Sequence, residues 1–409
     1  MEYHQALELC KKHGQEQILA HYDSLGETEK EHLLQQIEAL DFSLFDALKK
    51  KDMEQKKGDI SPIEVMEIAE IAKRREEFFS IGCDCIRKNK VGAVLLAGGQ
   101  GTRLGLDKPK GMLNVGIQKE YYLFEILISN LMDVVEQTGT FIPLYIMTSE
   151  KNHEDTVRFF EDMEYFGYPR KDIRFFTQEM APSVGFDGKV LLEDVDRISL
   201  SPNGNGGWFS SMAKSGVLGD AKERGVEWLN VFSVDNVLQR IADPVFVGAT
   251  IASNMASGSK VIRKVSPEER VGVMCLEDGR PSIVEYYELS DEMRYAVNDA
   301  GTLEYGFGVI LNYLFKIADL EHIMNNKIPV HVVEKKIPYI DGNKKLVKPE
   351  EPNGYKFETL ILDLIHLLDS SLAFEVVREK EFAPIKNKTG VDSLESARKL
   401  LQLNGVELG

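Results

Sequence analysis

The chain has 409 residues and 43% hydrophobic content, enough to bury one large core and one or two smaller ones, so two or three domains are expected. Its 49 Lys and Arg stand against 66 Asp and Glu, a formal net charge of −17. That is the wrong sign for a phosphodiester-backbone binder and sets nucleic acid aside as a partner. Four scattered cysteines, no basic tip ahead of an apolar stretch, and no uncharged run near the roughly 18 residues that span a bilayer point to a soluble, cytoplasmic protein with no membrane partner.

From Tyr3 to about Arg75, apolar residues recur at spacings of three and four, first Ile18, Tyr22 and Leu25, then Leu33, Leu34, Ile37 and Leu40. The spacing predicts a small helical N-terminal unit. Thr28-x-x-Glu31 has the form of a capping box that starts a helix near Glu29. Val91-Gly-Ala-Val-Leu-Leu96 is a short apolar run with glycines close behind it, the pattern of a buried parallel strand. Residues 144–147, 173–176, 228–234 and 260–263 repeat that pattern, interleaved with helical stretches at 122–135 and 154–163. Such alternation predicts the α/β class, a Rossmann-like domain with a mostly parallel sheet covered on both faces. Beyond Tyr313 the prolines at 329, 338, 349 and 352 punctuate a mixed stretch, before an apolar helix around 360–368.

The segment Leu96-Ala-Gly-Gly-Gln-Gly-Thr-Arg-Leu-Gly105 follows the first strand directly. A dinucleotide fingerprint fails there on spacing, since the sixth position from Gly99 is Leu104 and the third from Gly101 is Arg103. A Walker-type loop fails too, for want of Gly-Lys-Ser/Thr. The glycines alone suit a tight packing turn equally well. Arg103, Lys108 and Lys110 follow within one short loop, however, and cations beside convergent backbone N–H groups favour phosphate binding. Val231-Phe-Ser-Val-Asp-Asn236 carries an aspartate at a strand end, where it can hold Mg²⁺ on bound phosphates or serve as plain turn chemistry. Ser201-Pro-Asn-Gly-Asn-Gly-Gly207 reads as a loop that meets a ligand or as a flexible surface loop.

The glycine segment, followed by Pro109-Lys110-Gly111-Met112, resembles the signature of eukaryotic UDP-N-acetylhexosamine pyrophosphorylases, and the likeness runs in order from about Glu16 to Asn387. The resemblance implies a helical N-terminal domain over 1–85, a catalytic α/β nucleotidyltransferase domain over 86–380 and an abbreviated C-terminal part over 381–409. It also implies UTP and a hexosamine 1-phosphate as substrates, with Mg²⁺, replaceable by Mn²⁺, as cofactor.

By that likeness Leu96, Ala97, Gly98 and Gly99 contact UTP, Gln178 reads the uracil edge, Gly204 approaches the uracil and Lys356 faces the UTP phosphates. Asp235 becomes the metal ligand. Arg103, Lys110 and Lys386 are the catalytic cations, Lys386 facing the sugar phosphate. Asn205, Gly272, Glu285, Tyr286 and Val309 line the sugar site, with Glu285 placed to accept from vicinal hydroxyls. The likeness falters at that end. Gly306-Phe-Gly-Val-Ile-Leu-Asn312 carries Val309 where asparagine is usual, Leu360 and Leu362 replace phenylalanines, and Asn203 replaces an aspartate.

The expected reaction is in-line attack of the sugar phosphate on the α-phosphorus of UTP, giving UDP-N-acetylglucosamine and pyrophosphate. A UDP-glucose or broad-specificity pyrophosphorylase is the alternative, and a non-catalytic UDP-sugar sensor is a third reading. A monomer is expected, because relatives continue into a fuller C-terminal domain that would make contacts between subunits.

Overall fold

Five strands of near-continuous apolar character must be covered on both faces, and a single 11-stranded sheet gathers them. The computed structural model describes residues 1–50, 58–324 and 328–409. Its strands are β1 (Val91–Leu96), β2 (Leu144–Thr148), β3 (Ile173–Thr177), β4 (Trp228–Ser233), β5 (Ser257–Arg263), β6 (Val273–Glu277), β7 (Arg280–Val284), β8 (Phe307–Lys316) and β9 (Ser371–Glu375). They run in the order β9-β5-β8-β4-β1-β2-β3, with Val65–Met66 outside β9. β4, β1, β2 and β3 are mutually parallel. β8 enters antiparallel between β4 and β5, and the hairpin β6–β7 attaches to it at Val273. The α/β class and the mostly parallel sheet expected from the sequence are those observed.

The chain divides into two compact units. One is built from Met1–Lys56, Glu179–Gly207 and Ile328–Ile361, the other from Lys57–Gln178, Trp208–Lys327 and Leu362–Gly409. These boundaries differ from the linear 1–85, 86–380 and 381–409. The helix Ile68–Arg87 belongs with the sheet, because it packs on the helix Pro244–Ala252 so closely that side chains at Gly82 or Gly248 would strike the partner's backbone. Residues 381–409 join the sheet unit as well, since Ala397, Leu401 and Leu408 are part of its main core.

In the first unit, Ala6, Cys10, Ile18, Leu33 and Ile37 pack with Ala181, Val184, Val190 and Phe357. Buried Gln15 stitches two of its segments together, accepting from Val190 N at 2.8 Å and donating to Gly188 O at 2.9 Å. The helical pattern here is interrupted. Ile18 and Tyr22 sit in short 3₁₀ turns, Glu16–Leu19 and Tyr22–Ser24. In the sheet unit, Ile60–Pro62 and Val65–Met66 are strands rather than a continuation of the helical pattern, since Pro62 could not have continued a helix. The helix expected near Glu29 begins earlier, as Glu27–Ala39. Glu29 rather than Glu31 reaches back, accepting from Gly26 N at 2.7 Å. Among the described residues no helix is long and apolar enough to cross a membrane.

Candidate active site

Register decides what meets at the carboxyl edge of the sheet, where open parallel sheets collect ligands. Leu96 pairs with Ser233, and Val234 N donates to Leu96 O at 3.2 Å. The chain leaving β4 at Asp235 and the chain leaving β1 at Ala97 therefore emerge side by side. Thr148 pairs with Thr177, and Gln178 N donates to Thr148 O at 2.8 Å, which brings Gln178 to the same edge.

The glycine loop closes through Lys110, whose backbone N–H donates to Gly99 O at 3.3 Å from the start of the 3₁₀ turn Lys110–Met112. The Lys110 ammonium then meets Asp235 Oδ1 at 2.5 Å, with the lysine side chain 11% exposed and the aspartate 33%. Gln178 lies against the loop. A Cβ at Gly98 would come within 2.6 Å of its Nε2, so any other residue there would push the amide aside. Gly99 has open space where its side chain would be. Arg103 is exposed on the 3₁₀ turn Thr102–Leu104, with no ion-pair partner among the described residues. Lys386 is also exposed, and the residue before it is tied to the site, Ile385 N donating to Asp235 O at 2.9 Å.

A second group forms around β8. Val309 N donates to Gly272 O at 2.9 Å, and a Cβ at Gly272 would lie 3.5 Å from Glu285 Oε2. Gly272, Glu285 and Val309 are thus gathered. Tyr286 stands edge-on to Tyr287, ring centroids 5.2 Å apart, and lines a cavity of about 310 Å³ with Glu268, Arg270 and Arg294.

Gly204, Asn205 and Lys356 lie in the other unit. Gly204 takes φ +87°, and a side chain there would strike the Thr359 backbone. Gly206 N donates to Thr359 O at 2.9 Å, and Asn205 Oδ1 accepts from Ile361 N at 3.0 Å. That bond fixes the Asn205 amide in place. Lys356 lies on the strand Gly354–Glu358, opposite Val333.

Two residues of the site escaped the sequence reading. Asn152 is fully buried at the start of the helix His153–Asp162, accepts from Ser149 N at 2.7 Å, and donates to Ala97 O at 2.9 Å and Gly99 O at 3.4 Å. It ties the glycine loop to β2. Asn236, next to Asp235, is 2% exposed with both amide atoms engaged. The available signal was an asparagine at a helix start and another at a strand end, both ordinary as turn chemistry.

The family described as UTP--glucose-1-phosphate uridylyltransferase matches residues 42–407. The chain belongs to that family. Within it, the chain is 36% identical to UDP-N-acetylhexosamine pyrophosphorylase-like protein 1 of Xenopus tropicalis, over 94% of this chain and 80% of that protein. It is 37% identical to UDP-N-acetylglucosamine diphosphorylase 2 of Arabidopsis thaliana, over 97% of this chain and 83% of that protein. The matched stretch takes in between 62% and 84% of a relative's length. Among solved structures, the uridine diphosphate N-acetylglucosamine pyrophosphorylase of Trypanosoma brucei, in complex with inhibitor, superposes with a TM-score of 0.83 at 27% identity, covering 97% of this chain and 83% of that one.

Proposed function

We propose that the chain transfers a uridylyl group from UTP to N-acetylglucosamine 1-phosphate, giving UDP-N-acetylglucosamine and pyrophosphate. The observation that carries this reading is Lys110 paired with Asp235 beside a glycine loop packed against Gln178, at the carboxyl edge of a parallel sheet. The printed names of the relatives support the amino sugar over glucose. Backbone N–H groups of Gly98 and Gly99 and the Lys110 and Arg103 cations would take the triphosphate, with Gln178 on the base. Gly272 and Glu285 would hold the hexose, and Lys386 its phosphate.

An oxygen of the sugar phosphate forms a bond to the α-phosphorus as the bond from that phosphorus to the β-phosphate bridging oxygen breaks. Pyrophosphate leaves, and no protein nucleophile enters. Positioning and charge neutralisation supply the acceleration.

The residues fit Mg²⁺. Among the described residues no three His, Cys, Asp or Glu side chains gather as a metal cage, and a lone, partly exposed carboxylate suits an ion that takes its other ligands from phosphate and water. Asp235 would hold it, and when bound it offsets phosphate charge. Lys110 pairs with Asp235, and a cation held on that carboxylate would leave the Lys110 ammonium available to the phosphates.

The reading includes a cytosolic setting, supported by four buried free cysteines, and a monomer, which sedimentation would check. Pyrophosphate release from UTP and Mg²⁺ with a panel of sugar 1-phosphates tests the whole. N-acetylglucosamine 1-phosphate should lead, and silence with every sugar defeats the reading. Val309 favours loose discrimination, because an apolar wall separates substrates by only about 1–3 kcal/mol. Turnover of glucose 1-phosphate should therefore be measurable, and Val309→Asn should change the ratio.

A further inference from the structure

The amide of Asn236 spans two chain segments. Its Nδ2 donates to Glu381 O at 2.7 Å, and its Oδ1 accepts from Ala383 N at 2.8 Å. Backbone bonds flank it, Val237 N to Ala383 O at 3.3 Å and Ile385 N to Asp235 O at 2.9 Å, around a bridge between Asn236 and Pro384. In an antiparallel ladder the Ala383 N–H would go to Val237 O, and the Asn236 side chain takes that N–H instead. Residues 381–385 thereby continue the strand end that carries Asp235.

Lys386 comes next and is held from its other side. Its own N–H donates to Asp392 O at 2.7 Å, and Asn387 N reaches the same oxygen at 2.9 Å. The far end of the segment is anchored in the core, where Glu381 Oε2 meets Lys260 Nζ at 2.5 Å. The lysine is fully buried there, and its Nζ also donates to Arg240 O at 3.1 Å. A buried ion pair contributes little net stability against an apolar substitute, but its geometry is fixed.

We propose that Asn236 is a positioning residue that sets Lys386 relative to Asp235, an inference that rests on reading those two residues as groups of the uridylyl-transfer site. The Asn236 side chain adds two bonds to the two backbone bonds that hold the segment ahead of Lys386 to the strand end, and a misplacement of about 1 Å at such a site can cost about a hundredfold in rate.

Two measurements on the full chain test this. In the ligand-free protein, Asn236→Ala should speed amide exchange at Ile385 and Lys386 by about tenfold or more, while β1 and β4 keep their protection. In turnover, kcat should fall about ten- to a hundredfold with the KM for UTP within about twofold. A cycle with Lys386→Ala separates positioning from general destabilisation: the double variant should be no slower than Lys386→Ala alone. Additive losses, or an unchanged kcat in Asn236→Ala, overturn the proposal. Should Asn236→Ala not fold, Asn236→Ser enters the same cycle under the same criteria. A wild-type chain that releases no pyrophosphate with any sugar defeats the proposed function instead, and amide exchange at Ile385 and Lys386 then decides whether Asn236 holds the segment.

Discussion

Lys110 and Asp235 lie 125 positions apart in sequence and 2.5 Å apart in space, each neutralising the other. Asp235→Asn should lower kcat about a hundredfold or more, the size of losing one charge-stabilising element. UTP affinity without Mg²⁺ should change little, and normal turnover across a Mg²⁺ titration would exclude Asp235 as the ligand. Asn152 leads to a different expectation. Its amide holds the carbonyls of Ala97 and Gly99, both at the start of the glycine loop. Asn152→Ala leaves the buried Ala97 carbonyl unpaired, at about 1–3 kcal/mol, while Gly99 O keeps its bond from Lys110 N. The KM for UTP should rise about tenfold, which is 1.4 kcal/mol, while the KM for sugar phosphate stays near wild type. A rise shared equally by both substrates would point to a general loss of structure.

β8 is the element that the apolar pattern did not place. β1 to β5 were legible because parallel strands covered on both faces carry apolar runs, but nothing local told that β8 would enter antiparallel between β4 and β5. Its pairing with β5 shifts register between Ser259 and Val261, and Leu311 takes φ +53°, a region that a branched side chain rarely adopts. Lys260 sits at that irregularity, fully buried between Glu381 and, at 3.6 Å, Asp243. Strand propensity gave no hint that the lysine faces the core, because its two carboxylates come from elsewhere in the chain. Lys260→Met should therefore cost about 3–5 kcal/mol at neutral pH, by removing the cation that Glu381 and Asp243 share, with only Arg240 left 3.7 Å from Asp243.

The sign of its pH dependence follows. Burial pushes Glu381 above its ordinary value, opposed by Lys260 and reinforced by Asp243. Without the lysine, the opposing influence is gone. A carboxyl raised in the folded state binds more protons there than in the unfolded chain, so stability rises as pH falls from the folded value toward the ordinary 4.5. In the wild type, burial also pushes Asp243 up, but the Lys260 and Arg240 charges and the Val245 N–H outweigh it, and its carboxyl ends below the ordinary value. That contribution is present above 3.8 and is lost as pH falls below it. The Tm of Lys260→Met should thus climb relative to wild type as pH falls from neutrality toward the ordinary 4.5. A Tm gap independent of pH would exclude this charge account.

At the scale of the whole molecule, the phosphate-side motifs were legible because each is a contiguous string bound to a strand end: the glycine loop after β1, Asp235 after β4, Gln178 after β3. The partition into units was not. A linear reading cuts a chain at points, whereas Gln15 bonding to Gly188 and Val190, and Phe357 packing with Ile18 and Val184, join stretches that no local signal connects. The unit that holds Gly204, Asn205 and Lys356 is therefore assembled from three separated stretches, the last ending at Ile361. This bears on the order of events on the ribosome. The first two stretches leave the exit tunnel well before the strand Gly354–Glu358 that pairs with both His331–Lys335 and Val184–Gly185. Until then Ile18, Val184 and Val190 lack Phe357 and remain partly uncovered, a long-range closure of the kind that slows folding and exposes nascent chains to association. A nascent chain stalled after Gly207 should accordingly stay protease-sensitive across residues 1–50, with protection arriving only once Ile361 has emerged.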